Sequence, residues 1–221
     1  MPIMNIEEKL DLEEINKSFV NKESKERIIW AYETFKEGLF LTTSGGNTSA
    51  VLPNLTRNAL GFCPPIIFVD IGYFNDCTHN MLKYMENEGY DIRIYKSLIS
   101  KKEIEEKYPN WSDPGSNYFN KVVSIIKHEP LNRGFNELKV KAWLGGVMSY
   151  ETEERKNAKF VQFNKDLCQV FPILDWDHCK INEYLILNKL PINQNHFDIT
   201  KGPDQKRECN IWKECGIFRN T

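Results

Sequence analysis

Residues 39–49, LFLTTSGGNTS, join a short apolar, β-branched run to a turn made of a serine and two adjacent glycines, and residues 48–58 can continue as a helix up to Gly61. An apolar run closed by turn residues and followed by a helix is the opening unit of an α/β fold. Downstream, Pro64 and Pro65 introduce a second such run, IIFVD at 66–70, which breaks at Ile71-Gly72-Tyr73. Residues 78–88 then read as a helix ended by Asn87-Glu88-Gly89, and DIRIY at 91–95 alternates as a third strand. The order βαβαβ predicts a mostly parallel, twisted sheet with helices on both faces. Upstream, Leu10, Leu12, Ile15 and Phe19, and then Ile28, Ile29, Tyr32 and Phe35, recur at helical spacing on either side of a polar break at 21–24. Two helices therefore lead into the first strand.

The second half is less regular. Pro109, Asn110, Pro114 and Gly115 mark residues 104–120 as loops with a short helix, and 122–136 reads as a helix interrupted at Pro130. VKAWL at 140–144 is a further strand, stopped by Gly145-Gly146. A charged stretch at 151–159 is followed by 160–171, which carry no assigned element, and then by PILDW at 172–176. Asp177 can cap a helix over 180–188 that Leu190-Pro191 ends; Trp176 and Asp177 read as a buried ring and an N-cap. Residues 193–221 are polar and read as a mobile tail, which divides the chain into a nucleotide-binding domain, 1–192, and a tail, 193–221.

Composition limits what such a chain does. With 221 residues, 41% of them hydrophobic, one large α/β domain is the expectation. Its 29 basic and 31 acidic residues leave a net charge of −2, so no global field favours nucleic acid or an anionic membrane surface, and an anionic ligand must be held by local groups. The polar, acidic start lacks a secretory signal and no apolar run approaches membrane length, which predicts a cytoplasmic protein. Six cysteines, at 63, 77, 168, 179, 209 and 215, are scattered without a C-x-x-C pair, so neither zinc nor an iron–sulfur cluster is expected, and no tightly bound cofactor.

The chemistry points to the first turn. In Ser44-Gly45-Gly46-Asn47-Thr48-Ser49 the glycines let the backbone approach a phosphate, amides and the helix dipole favour an anion, and Ser44, Thr48 and Ser49 add hydroxyls. The same turn could serve only as a strand-to-helix connection. It lacks the Walker A ending and is not G-x-G-x-x-G. It resembles the S-G-G-x-D-S loop of the PP-loop adenine nucleotide hydrolases, with Thr48 at the place of the aspartate that belongs to the ATP-pyrophosphatase signature.

Four further segments are similar to the phosphoadenylyl-sulfate (PAPS) reductase family. IIFVDIGYFNDCTHNMLKYM resembles its strand ending in D-T-G-Y, which puts Asp70, Gly72 and Tyr73 at the nucleotide edge. IIKHEPLNRGFNELKVKAWLGGV resembles K-x-E-P-x-x-R-x-L-x-x-L with its strand and glycine, and VFPILDWDHCKINEYLILNKLP resembles the P-I-x-D-W stretch and its helix. KECGIF resembles the E-C-G-L-H ending that carries the catalytic cysteine. The resemblance covers most of the chain from about Glu26. It implies nucleotide contacts at the glycine loop, Asp70, Gly72, Tyr73, Lys127, Arg133, Gly145, Gly146 and Arg155, and Cys215 as the nucleophile. On residues alone, Lys127, Glu129 and Arg133 could equally be a solvated helix face.

Lys213 and Arg219 would favour the Cys215 thiolate while Glu214 opposes it; Cys209, beside Lys206 and Arg207, competes for the role or serves as a resolving thiol. Where the family continues with two arginines after the GGV strand, this chain has Met148 and Ser149, and only Arg155 stands at the place of the later arginine. The resemblance implies thiol-dependent reduction of PAPS to sulfite and adenosine 3′,5′-bisphosphate through an S-sulfocysteine, with thioredoxin or glutaredoxin as partner and, as in many relatives, a homodimer. A PP-loop ATP pyrophosphatase that adenylates or thiolates a substrate, and a nucleotide-binding protein without turnover, are the competing readings.

Overall fold

The computed structural model describes residues 10–193 except 114 and 152–154. Two helices lead in, α1 (Leu12–Phe19) and α2 (Ser24–Phe35). Asp11 caps the first by accepting from the Glu14 N–H at 3.0 Å, satisfying one of the donors that a helix start leaves open. There follow β1 (Leu39–Thr43), α3 (Val51–Leu60), β2 (Ile66–Asp70), α4 (Asp76–Asn87) and β3 (Ile92–Lys96). Gly61, at φ 80°, ends α3 in the left-handed conformation that glycine adopts without penalty. The second half adds α5 (Lys101–Lys107), α6 (Phe119–Val123), α7 (Glu129–Glu137), β4 (Ala142–Leu144), β5 (Val161–Asn164), β6 (Leu167–Val170) and α8 (His178–Leu187).

The strands form one sheet in the order β3-β2-β1-β4-β6-β5. Neighbours run parallel except β5, which pairs antiparallel with β6. β1 is central, with Leu41 opposite Ile66 on one side and Leu144 on the other. Because side chains alternate along a strand, Leu39 and Leu41 enter a core with Ile28 and Phe35 of α2, Val51 and Leu55 of α3, Met85 of α4 and Leu185 of α8. On the opposite face Phe40, Ile67 and Trp143 pack against Leu131 and Phe135 of α7. A smaller cluster joins Ile71, Ile104, Trp111, Val122 and Ile126. The fold is thus the mostly parallel sheet with helices on both faces that the βαβαβ order predicts. No helix among the described residues is long and apolar enough to cross a membrane.

Three elements differ from expectation. Residues 160–171, left without an element, form the β5–β6 hairpin, whose turn holds Lys165 at φ 54°, a position that a glycine or asparagine would have marked. The helix expected from Thr48 begins at Val51, because successive turns close first, with the Ser49 N–H donating to the Gly46 carbonyl at 3.2 Å and the Val51 N–H to the Thr48 carbonyl at 2.9 Å. Pro130 does not interrupt its helix. Lacking an N–H, it cannot serve the carbonyl four residues earlier, and the chain widens into a π-turn over Ser124–His128, where the Glu129 N–H reaches back to the Ser124 carbonyl.

Arg27 fastens the entry helices to the far side of the sheet. The side chain is 1% exposed; its guanidinium donates to the Phe19 carbonyl, to the Pro172 carbonyl at 2.8 Å and to both carboxylate oxygens of Asp175, with the Phe160 ring 4.0 Å away. Asp175 is nearly half exposed, so the ion pair itself contributes little and the buried carbonyls carry the energy. Nearby, the buried Trp176 donates its indole N–H to Ser24 Oγ at 2.7 Å, and Asp177 caps α8 by accepting from the Lys180 N–H at 2.8 Å, the roles read for both from the sequence. Replacing Arg27 by Met keeps much of the volume and strands both carbonyls; urea denaturation should show a loss of about 2–4 kcal/mol, and a loss below about 0.5 kcal/mol would contradict this account.

Candidate functional site

From β1 the chain builds outward through β2 to β3, then returns to place β4 on the other flank of β1. Loops leaving β1 and β4 therefore diverge, and an open α/β sheet has its crevice at such a reversal, beyond the carboxyl ends of the strands. A cleft lies at that position. Thr42, Thr43 and Ser44 at the end of β1 face Trp143, Gly145 and Gly146 at the end of β4, and Ile67 and Val69 of β2 with Leu52, Pro53, Leu131 and Ile173 make an apolar wall. Thr48 and Ser49 add hydroxyls, and Lys127 and Arg155 are the cations among the lining residues. An apolar pocket with a few convergent polar groups and local positive charge suits a flat heterocycle carrying anionic substituents.

The loop on the β1 side is held from two directions. Gly45 sits at φ 70°, and a Cβ there would meet the Thr78 methyl at 2.6 Å, so both conformation and space require glycine. Its carbonyl accepts from Asn193 Nδ2 at 2.8 Å, and Asn193 is 5% exposed. Residue 193, read as the start of the tail, thus packs with the glycine loop. The Gly45 and Gly46 amides reach only the hydroxyl oxygens of Thr43 and Ser44, both at 3.3 Å. Bonds of that length are weak, and an anionic oxygen would replace them with charge-assisted ones.

On the β4 side, the Gly145 N–H donates to the Val170 carbonyl at 3.0 Å, and a Cβ at Gly145 would lie 2.5 Å from the Trp143 ring. Lys127 reaches the cleft from the π-turn. Its neighbour His128 is held below the usual imidazole range, by burial first and the Lys127 charge second, so it is neutral at pH 7. Arg155 pairs with Glu151, whose Oε2 also accepts from the Met148 N–H at 3.4 Å. Met148 is buried in the main core and the Ser149 backbone N–H donates to the Leu174 carbonyl at 2.9 Å; neither residue, at the places where the resembled family has arginines, is part of the cleft lining.

Of the residues singled out in the sequence, Ser44, Thr48, Ser49, Lys127, Gly145, Gly146 and Arg155 line the cleft, and Gly45, Gly46 and Asn47 complete its loop. Asp70 lies behind it. Buried at the end of β2, its carboxylate accepts from the Gly72 N–H at 2.9 Å and from Lys96 Nζ at 3.2 Å, with His79 Nε2 at 3.6 Å, and this turn carries Ile71 and Phe74 into the cleft. Tyr73 turns instead to Trp111, 5.0 Å between ring centroids, under the Lys101 ammonium. Arg133 points away from the cleft, donating to Glu129 at 2.8 Å and to the Lys96 carbonyl at 2.6 Å. Cys209 and Cys215 fall outside the described residues. Among the described thiols, burial pushes Cys63 up to about 12 and Cys168 is fully enclosed, so neither is a ready nucleophile. The apolar wall, Trp143 and Phe74 were not legible as site residues, because in the sequence they are indistinguishable from core; Asn193 had no signal at all.

The phosphoadenosine phosphosulfate reductase domain matches residues 38–198. A phosphoadenosine 5′-phosphosulfate reductase of Synechocystis sp. is 31% identical over 83% of this chain and 74% of its own length. One from Buchnera aphidicola is 27% identical over 99% of this chain and 96% of its own. Among solved structures, PAPS reductase from Candida auris, in complex with phosphate, superposes with a TM-score of 0.71 at 22% identity, covering 83% of this chain and 88% of that one. The U34-tRNA thiolase NcsA of Methanococcus maripaludis, with its [4Fe-4S] cluster, gives 0.52 at 15% identity over 80% and 67%. Among the described residues of this chain, no group of three or more His, Cys, Asp or Glu is placed to hold a metal ion.

Gly45→Ala should weaken binding of an adenine nucleotide at least tenfold and lower stability by about 1–2 kcal/mol, from the strained φ and the Thr78 collision. Combining it with Thr78→Ser, which removes the opposing methyl, should recover part of both losses in calorimetry and thermal denaturation. No recovery would mean that the collision is not the cause.

Proposed function

The chain belongs to the phosphoadenosine phosphosulfate reductase domain family, and on that premise we propose that it reduces 3′-phosphoadenylyl sulfate to sulfite and adenosine 3′,5′-bisphosphate at the cleft between β1 and β4. The observation that carries the reading is the pairing, across one apolar cleft, of the glycine loop with Lys127 and Arg155. The adenine lies against the apolar wall. The amides of the Ser44–Ser49 loop, its hydroxyls and the two cations hold the anionic groups and fix the phosphosulfate in line for attack.

Cys215 supplies the nucleophile. Its thiolate attacks the sulfur of the phosphosulfate, a sulfur–sulfur bond forms, and the bond from sulfur to the bridging phosphate oxygen breaks with its electron pair leaving on adenosine 3′,5′-bisphosphate. The product on the enzyme is S-sulfocysteine. A dithiol reductant, thioredoxin or glutaredoxin, then attacks the Cys215 sulfur and releases sulfite, and its second thiol closes a disulfide that frees the cysteine. The absence of any C-x-x-C pair from the six cysteines supports a reaction run by one thiol without a resident cluster. Asp70, Gly72 and Tyr73 act in this proposal by shaping the turn that delivers Ile71 and Phe74, and Arg133 by bracing α7 against β3. The carrier segment 193–221 and assembly as a homodimer belong to the same proposal.

Met148 and Ser149, at the places of two family arginines, favour a second reading, nucleotide binding without turnover. Cys215→Ser separates the two. Under the proposal that variant binds adenosine 3′,5′-bisphosphate with unchanged affinity and releases no sulfite, and wild-type protein incubated with 3′-phosphoadenylyl sulfate shows, by intact mass, one sulfonate adduct on Cys215. Full sulfite release by Cys215→Ser would remove Cys215 from the mechanism. Tight binding by the wild type with neither adduct nor sulfite would establish the second reading.

A further inference from the structure

Glu151 supplies the counter-charge to Arg155, a residue of the cleft wall. The carboxylate accepts from Arg155 Nη1, and its Oε2 also receives the Met148 backbone N–H at 3.4 Å. A guanidinium and a backbone amide converging on one oxygen are the donor set that binds a tetrahedral oxyanion of sulfur or phosphorus. Here an internal carboxylate fills it. The two partners differ in position: the Arg155 side chain is 11% exposed and forms part of the cleft wall, whereas that of Glu151 is 26% exposed and is not part of the lining. A doubly anionic ligand entering beside a retained carboxylate would meet like charge in a partly dry site, which costs far more than the same pair in water. Exchange resolves this, since the carboxylate can rehydrate in solvent while the guanidinium stays.

We propose that Glu151 stands in for an anionic group of the ligand at Arg155 and the Met148 amide, and by competing for them sets the affinity of the cleft and its selectivity for tetrahedral oxyanions. The proposal rests on the reductase reading for the identity of the ligand, but not for its test. Two consequences separate it from a purely structural ion pair. Neutralising Glu151 should tighten anion binding, whereas loss of a mere brace for Arg155 would weaken it. A planar monocarboxylate, which offers the donors no more than Glu151 already does, should gain much less than sulfate.

Inorganic sulfate is the probe, titrated into the full chain while the Met148 amide and Arg155 side-chain resonances are followed by NMR. Glu151→Gln should bind sulfate at those resonances about tenfold more tightly than wild type, the size of one lost charge-assisted competitor. Acetate should show little gain, and adding Arg155→Gln should abolish the gain for sulfate. Equal or weaker sulfate binding in a folded Glu151→Gln protein would overturn the proposal. If that variant does not fold, Glu151→Asp decides by the same sign, because its side chain, one methylene shorter, draws the accepting oxygen away from both donors. Sulfate binding does not depend on turnover, so a wild type that releases no sulfite would sink the reductase reading and leave this result standing.

Discussion

The described residues are arranged around the reversal of strand order at β1, whose neighbours β2 and β4 both run parallel to it. A parallel strand must be reached by a crossover, and crossovers to opposite flanks of the same strand cannot cover the space between them. The two helical layers bury both faces of that central strand, Leu39 and Leu41 toward one and Phe40 toward the other. What they leave uncovered is the end of the strand, where Thr42, Thr43 and Ser44 emerge. The site is thus a product of topology before it is a product of particular side chains, and packing rigidity is passed directly to the residues that border the cleft.

Polar groups are then added to this opening from elements that differ in how firmly they are held. The glycine loop is pinned through Gly45 by Thr78 below and Asn193 above. Lys127 stands on a helix whose other residues, Val122 and Ile126, are packed into the satellite core. Arg155 lies in a short turn, Arg155–Asn157, beyond residues that the structure does not describe, and it is paired with the Glu151 carboxylate. Under the proposed function, pinned amides and a countered guanidinium do different work in anion recognition. Amides fixed in advance lose little on binding, while a charge that must exchange partners contributes a difference of affinities and hence selectivity.

How much of this the sequence disclosed follows the strength of local physics. Apolar runs closed by glycine and proline located β1, β2, β3 and β4 within a residue or two, and the Asp177 cap located α8. The loop Ser44–Ser49 was legible because few other compositions let a backbone turn so sharply after a strand. The β5–β6 hairpin was not, since its turn relies on Lys165 in a conformation that the pairing of two strands imposes from outside. Lys127 and Arg133 looked alike as basic residues on one helix, and only tertiary placement separates a cleft wall from a brace on the Lys96 carbonyl. Glu151 and Asn193 were invisible for the same reason: their roles depend on partners, Arg155 apart, far along the chain or on the backbone.

The π-turn at Ser124–His128 also sets the rotational phase of the helix that follows it. One residue beyond an α-helical turn shifts every later side chain by roughly 100° about the axis. Without that offset Leu131 and Phe135 would no longer meet Phe40, Ile67 and Trp143 while Val122 and Ile126 kept their own partners. The widened turn is therefore the splice that lets one continuous rod serve two separate cores. Inserting or deleting a single residue there would turn a different face of the downstream helix to the sheet, so the fold depends on the length of this segment as well as on the residues within it.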